Sequence, residues 1–212
     1  MNNESEPPDI PSQVVCQVKG ASGATQRSNE NAQGVVEVVS VERPAAYGLT
    51  ELIRKWRSLI DADGGSAAET NAILYDSQLI EIPYAGAGRA SVAKIRRHSF
   101  PWGRAIMFLT TGYTQGPTGD TPVNSDSLQF IVQGFTNDGR YAVSCHFGIR
   151  QPRLPESADD KKLKGKVIFN WDKEDKEAAK WLDTQADDSF EPTPERYETF
   201  LESLRIEPPG RR

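Results

Sequence analysis

The sequence has few of the residues that build metal centres or disulfide scaffolds. Its 212 residues include only two cysteines and two histidines, which excludes a disulfide-stapled fold and offers a poor basis for a zinc site. No apolar run approaches the roughly 18 residues of a membrane-spanning helix, so we expect no transmembrane segment. The net charge of −5 argues against binding of a phosphate backbone over the whole surface. We therefore predict no metal, no cofactor and no nucleic-acid partner.

The length and composition instead fit a single domain with its own hydrophobic core. A chain of this size buries roughly 70% of its unfolded surface. Residues 1–12 combine three prolines with acidic and polar residues, and they bury too little apolar surface to offset the entropy of ordering. We predict a flexible tail at 1–12, one domain at 13–206 and a second tail at 207–212. The acidic, polar start does not resemble a signal peptide, so a cytoplasmic location is expected if Met1 is the native start.

The periodicity of apolar residues predicts a sheet accompanied by helices. β-branched residues crowd 13–19 and 34–41, and we expect strands there, joined by a loop at 20–33. Helical spacing follows in six apolar residues, Leu49, Leu52, Ile53, Trp56, Leu59 and Ile60. Shorter apolar runs predict further strands at 73–75, 79–84, 92–100 and 104–111.

A hairpin between residues 128 and 149 is the clearest local prediction. Asp138-Gly139 separates two alternating runs, which is typical of a two-residue turn. This turn places one apolar set on a common face, in the cross-strand pairs Leu128–Ile149, Phe130–Phe147, Val132–Cys145 and Gly134–Val143. The opposite face pairs Phe135 with Ala142, Gln133 with Ser144 and Ile131 with His146. The mixed character of this face indicates that it is either lightly covered or partly exposed to solvent.

The C-terminal third changes to helix-forming residues. An apolar stripe of Ala178, Trp181, Leu182 and Gln185 predicts one helix. Thr193-Pro194-Glu195 predicts the start of another, with a hydroxyl cap and proline in the first turn, and Tyr197, Phe200, Leu201 and Leu204 would form its buried face. Together these patterns predict an α+β fold, a largely antiparallel sheet with an N-terminal helix and two C-terminal helices packed on it.

A basic, aromatic segment is the most asymmetric charge feature. Residues 82–119 contain no aspartate or glutamate, although the chain is acidic. If 92–100 is a strand, its alternate basic side chains form a ridge on one side, which an anion, an anionic polymer or an acidic protein could bind. The candidate ligand-binding residues are Arg89, Lys94, Arg96, His98, Trp102 and Arg104. Alternatively, this face pairs with the acidic C-terminal helices of the same chain.

Other polar groups offer weaker candidates. Asp120, Asn124 and Asp126 have oxygen ligands, but their spacing matches no EF-hand and they are ordinary loop residues. Ser144 and His146 lie two apart on a strand, with Cα atoms about 6–7 Å apart, which disfavours a direct catalytic hydrogen bond. For Cys16 and Cys145, a disulfide and two buried thiols both remain open.

Several short motifs resemble a family of uncharacterised bacterial exported proteins and lipoproteins. They are Gln133-Gly-Phe-Thr-Asn-Asp-Gly-Arg-Tyr141, Pro152-Arg-Leu-Pro155, Phe190-Glu-Pro192 and, upstream, Phe108-Leu-Thr110 with Tyr113. The resemblance covers about residues 70–206. It implies a periplasmic or secreted location but supplies no catalytic residue, because the family has no assigned activity. Cys16 departs from a lipid-attachment site, since Val15 replaces the small residue needed before it.

Two functions from different classes follow. The first is a non-catalytic, extracytoplasmic binding or structural module that binds an unidentified protein or anionic polymer through the basic segment. The loop at 112–127 would contribute to that surface. The alternative is a hydrolase with its site on the mixed hairpin face around His146, using Ser144 or a carboxylate from elsewhere.

Overall fold

A computed structural model describes residues 14–18, 34–41, 50–61, 92–111, 122–157 and 160–206 of the protein. The strands are β1 (Val14–Val18), β2 (Gly34–Ser40), β3 (Val92–Phe100), β4 (Gly103–Thr111), β5 (Leu128–Thr136) and β6 (Tyr141–Gly148). The helices are α1 (Thr50–Asp61), α2 (Trp171–Thr184) and α3 (Pro194–Ser203).

One six-stranded sheet organises these elements, in the order β1-β2-β6-β5-β4-β3. Every neighbouring pair is antiparallel. The predicted α+β class is therefore confirmed, with one N-terminal and two C-terminal helices packed on an antiparallel sheet. The predicted tails, the loop at 20–33 and the strands at 73–75 and 79–84 lie outside the described residues.

The predicted register of the β5–β6 hairpin is confirmed on both faces. Phe130 pairs with Phe147 and Val132 with Cys145. Val132 and Phe130 are fully buried, and burying such a side chain contributes about 1.5–3 kcal/mol. A slip of one residue would turn the whole apolar set away from its helices, so the alternation fixes the pairing.

The turn of this hairpin differs from the predicted two-residue connection. The loop spans 137–140, and the amide of Gly139 donates to the carbonyl of Thr136 at 2.8 Å. Gly139 has φ +66°, a conformation that glycine adopts at low cost. The Thr136 hydroxyl donates to Asp138 Oδ1 at 2.6 Å and accepts from the Tyr141 amide at 3.2 Å. These side-chain bonds stabilise a longer loop without changing the register.

Helices cover both faces of the sheet. Helices α2 and α3 pack on one face, where Ala178, Leu182 and Leu201 join Phe130 and Phe147 in one buried cluster. On the other face, Ile53, Trp56, Leu59 and Ile60 of the predicted apolar stripe of α1 are buried against β4, β5 and β6 in a second cluster. The mixed face of the hairpin is thus covered, and its polar residues Gln133 and Ser144 are 0% and 2% exposed.

Helix α3 begins at a proline and is tied to the end of β6. The N-cap of α3 is Thr193 with Pro194 in the first turn, as predicted, but the Thr193 side chain makes no capping hydrogen bond. The Tyr197 hydroxyl of α3 donates to the carbonyl of Gly148 at 2.5 Å, which ties the helix to the end of β6.

None of the helices in the described ranges combines the length and apolarity needed to cross a membrane.

The sheet register separates the two cysteines. Cys16 of β1 and Cys145 of β6 both pair with Val36 of the intervening strand β2. Two strand spacings place their Cα atoms about 10 Å apart, beyond the roughly 7 Å limit for a disulfide. Cys145 is a buried thiol.

Candidate functional site

Three of the predicted ligand residues, Lys94, Arg96 and His98, form a basic ridge on β3. They face the side of the sheet that carries α2 and α3. A bulge shifts the β3–β4 register between Ala93 and Arg96, and Lys94 within it has φ +55°. Bulges re-aim side chains, and here Lys94 and Arg96 are directed at the same carboxylate.

Acidic residues at the C-terminal end of the chain neutralise the basic ridge. Lys94 Nζ lies 2.9 Å from one oxygen of Asp187, and Arg96 Nη1 lies 2.9 Å from the other. Arg96 Nη2 also lies 2.6 Å from Glu198 of α3. Desolvation opposes the charged form of Asp187, but the hydrogen bond from Lys94 and the charge of Arg96 outweigh it and hold its pKa below the ordinary 3.8.

The two remaining ridge-side candidates, His98 and Trp102, also contact α3. His98 Nε2 lies 3.6 Å from Glu202, a pair that is charged only when the imidazole is protonated. Trp102 is 6% exposed, stacks on Phe100 with ring centroids 5.0 Å apart and donates from Nε1 to the carbonyl of Leu201 at 3.0 Å. The aromatic part of the predicted site therefore anchors the end of α3 to the β3–β4 turn.

These contacts match the alternative in which the basic segment pairs with the acidic helices of its own chain. An external anion at Lys94 or Arg96 would have to displace Asp187 and Glu198, or share the cations with them. Arg89, another predicted ligand residue, lies outside the described residues.

Arg104 lies on the opposite face of the sheet. Its register partner on β3 is Ser99, whereas His98 pairs with Ala105, and side chains alternate between faces along a strand. Arg104 Nη2 lies 2.7 Å from Asp61 at the end of α1, and the two side chains are 57% and 51% exposed. The five described residues of the predicted site thus do not converge on a single groove.

Arg104 instead lines an open cleft of about 390 Å³ between α1 and the β5–β6 turn. We call it the cationic cleft, and its lining residues are Arg57, Ile60, Asp61, Arg104, Phe135, Thr136, Asn137 and Gly139. With two arginines and one aspartate, its lining has a net formal charge of +1.

Arg57 is the cleft residue that sequence patterns missed. Its Nη2 donates to the carbonyl of Gly139 at 2.6 Å, and its guanidinium lies 5.1 Å from the centre of the Phe135 ring. These two contacts hold it at the cleft. In the sequence Arg57 belongs to the polar side of an amphipathic helix, 82 residues from Gly139. Only the tertiary fold therefore shows that it lines the same cleft as Arg104.

The hairpin face contains the Ser–His contact that strand geometry disfavoured. Ser144 Oγ and His146 Nε2 are 3.1 Å apart, so the expectation of no direct hydrogen bond is wrong. The two side chains share a face, and the imidazole reaches along the strand to the hydroxyl. Gln133 Nε2 also donates to Ser144 Oγ at 3.3 Å. Ser144 is 2% exposed, however, and His146 is half-buried.

Two of the motifs that resemble the exported family have structural roles in the described part of the chain. Leu154 of the Pro152–Pro155 motif is fully buried, and Glu191 exchanges two backbone hydrogen bonds with Arg150, at 2.8 and 2.9 Å. Glu191 and Pro192, together with Arg196, also line an open cleft of about 440 Å³.

Within the described ranges no three His, Cys, Asp or Glu side chains are grouped to hold a metal. Asn124, one of the three loop residues considered as oxygen ligands, accepts through Oδ1 from the Ser127 amide at 3.0 Å and caps a short 3-10 helix. Comparison of the chain with protein-family models, curated proteins and solved structures gave no match.

Proposed function

We propose that the protein is a non-catalytic binding module that holds an anionic group of a protein partner or polymer in the cationic cleft. The observation that carries this proposal is the juxtaposition of Arg57 and Arg104 in an open cleft. Guanidinium groups bind carboxylates and phosphates through paired N–H donors, and two of them on separate elements recognise a larger anion than one alone.

Donor capacity supports the proposal. A guanidinium has five N–H donors, and the contacts described above involve one nitrogen of each arginine, Nη2 of Arg57 to Gly139 and Nη2 of Arg104 to Asp61. The Phe135 ring beneath Arg57 orients that guanidinium. Each guanidinium therefore keeps N–H donors for a ligand carboxylate, and Arg57 can use its own while it keeps its bond to the turn.

Exposure also favours the cleft over the basic ridge. Both partners of the Arg104–Asp61 pair are more than half exposed, and such pairs contribute only about 0–1 kcal/mol. Exchange of Asp61 for a ligand anion therefore costs little. Arg96 and Glu198 are 34% and 21% exposed, and Arg96 has two carboxylate partners, so exchange there costs more.

The test is the affinity of the protein for a fluorescent hexaglutamate peptide, measured by anisotropy. Arg57→Gln and Arg104→Gln should each weaken binding by about fivefold or more, whereas Asp61→Asn should strengthen it because a repelling carboxylate is removed. Arg54→Gln is the matched control, since Arg54 lies on the same helix but outside the cleft and pairs with Glu51. Binding should also weaken between about 0.05 M and about 0.5 M salt.

Two outcomes would refute the cleft. One is equal affinity of the wild type and the Arg57→Gln, Arg104→Gln double variant. The other is loss of affinity in Arg96→Gln with the cleft variants unaffected, which would return the site to the basic ridge.

The hydrolase alternative has one specific observation in its favour, the 3.1 Å contact between Ser144 and His146. A serine nucleophile needs such a base within hydrogen-bond reach. It must also reach substrate, and Ser144 is 2% exposed and lines neither described cleft. A fluorophosphonate probe distinguishes the readings: labelling of the wild type that Ser144→Ala abolishes would establish the hydrolase.

The extracytoplasmic location rests on the resemblance of Gln133–Tyr141 and the other short motifs to exported bacterial proteins, and it stays a prediction. Fractionation of cells that express the native gene would test it, with recovery outside the cytoplasm as the expected result.

A further inference from the structure

Residues 161–168 form a loop that concentrates positive charge apart from both the ridge and the cleft. The run Lys-Lys-Leu-Lys-Gly-Lys-Val-Ile contains four lysines and no acidic residue, within a chain of net charge −5. We call it the lysine loop. It connects the Pro152–Pro155 segment to α2.

The lysine loop exposes apolar side chains among its charges. Lys161, Lys162 and Lys164 are exposed. Leu163 is 40% and Ile168 44% exposed, and within the described ranges these two are the large hydrophobic residues that remain exposed. Isolated exposed leucines are ordinary, but two within six residues, interleaved with lysines, make an amphipathic surface.

Hydrogen bonds hold the lysine loop in a defined shape. The Lys166 amide donates to the Leu163 carbonyl at 3.1 Å, and the Val167 amide donates to the Arg153 carbonyl at 2.7 Å. Lys166 Nζ donates to the Pro152 carbonyl at 2.8 Å, and Gly165 has φ +80°. Leu163 therefore lies at a turn that is tied to the body of the domain, and presenting it requires no ordering on binding.

We infer that the lysine loop docks the protein on the surface of an anionic phospholipid bilayer. Lysines near such a surface are attracted by its negative potential, and an exposed leucine at a turn inserts into the boundary between headgroups and acyl chains. The apolar residues favour a lipid surface over a nucleic acid, because a phosphate backbone offers nothing for Leu163 and Ile168 to bury against. This inference is independent of the cationic cleft.

The experiment is co-flotation of the full chain with vesicles of phosphatidylcholine containing about 30% phosphatidylglycerol, compared with vesicles of phosphatidylcholine alone. Binding to the anionic vesicles is expected. Lys164→Gln should weaken it by about fivefold, whereas Lys180→Gln, an exposed lysine of α2, should change it by less than about twofold. Leu163→Ser should weaken it by about tenfold because the inserting side chain is lost.

Four outcomes would overturn the inference. The first three are equal binding to both vesicle types, full binding by Leu163→Ser, and equal losses of binding in Lys164→Gln and Lys180→Gln. The fourth is that a single-stranded oligonucleotide displaces the protein from the vesicles and binds the Leu163→Ser variant as tightly as it binds the wild type. The last would assign the loop to nucleic acid. Thermal melts of each variant exclude unfolding, since these side chains are exposed and their loss should not shift the transition.

Discussion

Replacing Arg96 with methionine tests whether the basic ridge is part of the folded core. Methionine keeps much of the aliphatic stem but removes the charge, and it leaves Asp187 and Glu198 facing an apolar side chain. Asp187 retains Lys94 at 2.9 Å. Arg96 is the described partner of Glu198, at 2.6 Å.

The expected cost follows from burial. Unit charges about 4 Å apart attract by about 4 kcal/mol at an effective dielectric constant of about 20, but desolvation and side-chain entropy offset most of this. Exposed pairs contribute about 0.2–1 kcal/mol, and removing one partner of a buried pair costs about 3–5 kcal/mol. With Arg96 34% and Glu198 21% exposed, we expect Arg96→Met to lower the free energy of unfolding by about 2 kcal/mol.

The assay is urea unfolding of Arg96→Met, Glu198→Gln and the double variant at low salt. The double-mutant cycle should give a coupling energy of about 1 kcal/mol, and Tm should fall by about 4–8 °C in Arg96→Met. Arg54→Met is the control, because Arg54 and Glu51 are also 2.6 Å apart but 69% and 60% exposed. A loss in Arg96→Met no larger than in Arg54→Met would show that the basic ridge contributes no more to stability than an exposed ion pair.

Asp187 gives the same network a pH signature. Its pKa is held below 3.8 in the folded protein, so its contribution is present at higher pH and is lost as the pH falls below that value, where the unfolded chain binds the proton first. Arg96→Met removes one cause of the lowered pKa. Between about pH 5 and about pH 3, the variant should therefore lose less stability than the wild type.

Three further predictions concern the sheet and its contacts. Gly134→Ala should lower the free energy of unfolding by about 1–3 kcal/mol, because the new Cβ would lie 2.4 Å from the carbonyl oxygen of Arg104. Unchanged urea unfolding would contradict this. Burial raises the pKa of Tyr197 to about 12, so the wild type should lose stability as the pH rises from 10 toward 12. Tyr197→Phe should lose less in alkaline urea titrations. Alkylation of the non-reduced, denatured protein should label both Cys16 and Cys145 in mass spectra, and an intact disulfide would contradict the sheet order.

The hairpin was predictable because two independent local signals agree. Period-2 alternation fixes which residues share a face, and Asp138-Gly139 fixes the centre of the pairing. The loop itself was not predictable at that level, because the Thr136 hydroxyl selects a longer connection by bonding to Asp138 and Tyr141. Similarly, the apolar stripe of α1 predicts a buried face but cannot say which sheet surface buries it.

The candidate site was only partly predictable, for geometric reasons. Arg104 was grouped with Arg96 by proximity in sequence, whereas the tight β3–β4 turn places it opposite Ser99, on the other face. The bulge at Lys94 leaves no sequence signal, since lysine rarely adopts a positive φ. Acidic partners for the basic ridge could be anticipated from charge balance alone. The position of Arg57 and Arg104 in one cleft could not.

The most direct test of the cationic cleft is an NMR titration that follows the arginine side-chain Nε–Hε resonances on addition of hexaglutamate. If the cationic cleft binds the peptide, the resonances of Arg57 and Arg104 should show saturable shifts while that of Arg96 stays unchanged, because the Arg96 guanidinium already faces Asp187 and Glu198. Shifts of Arg96 without shifts of Arg57 and Arg104 would contradict it and place the anion on the basic ridge.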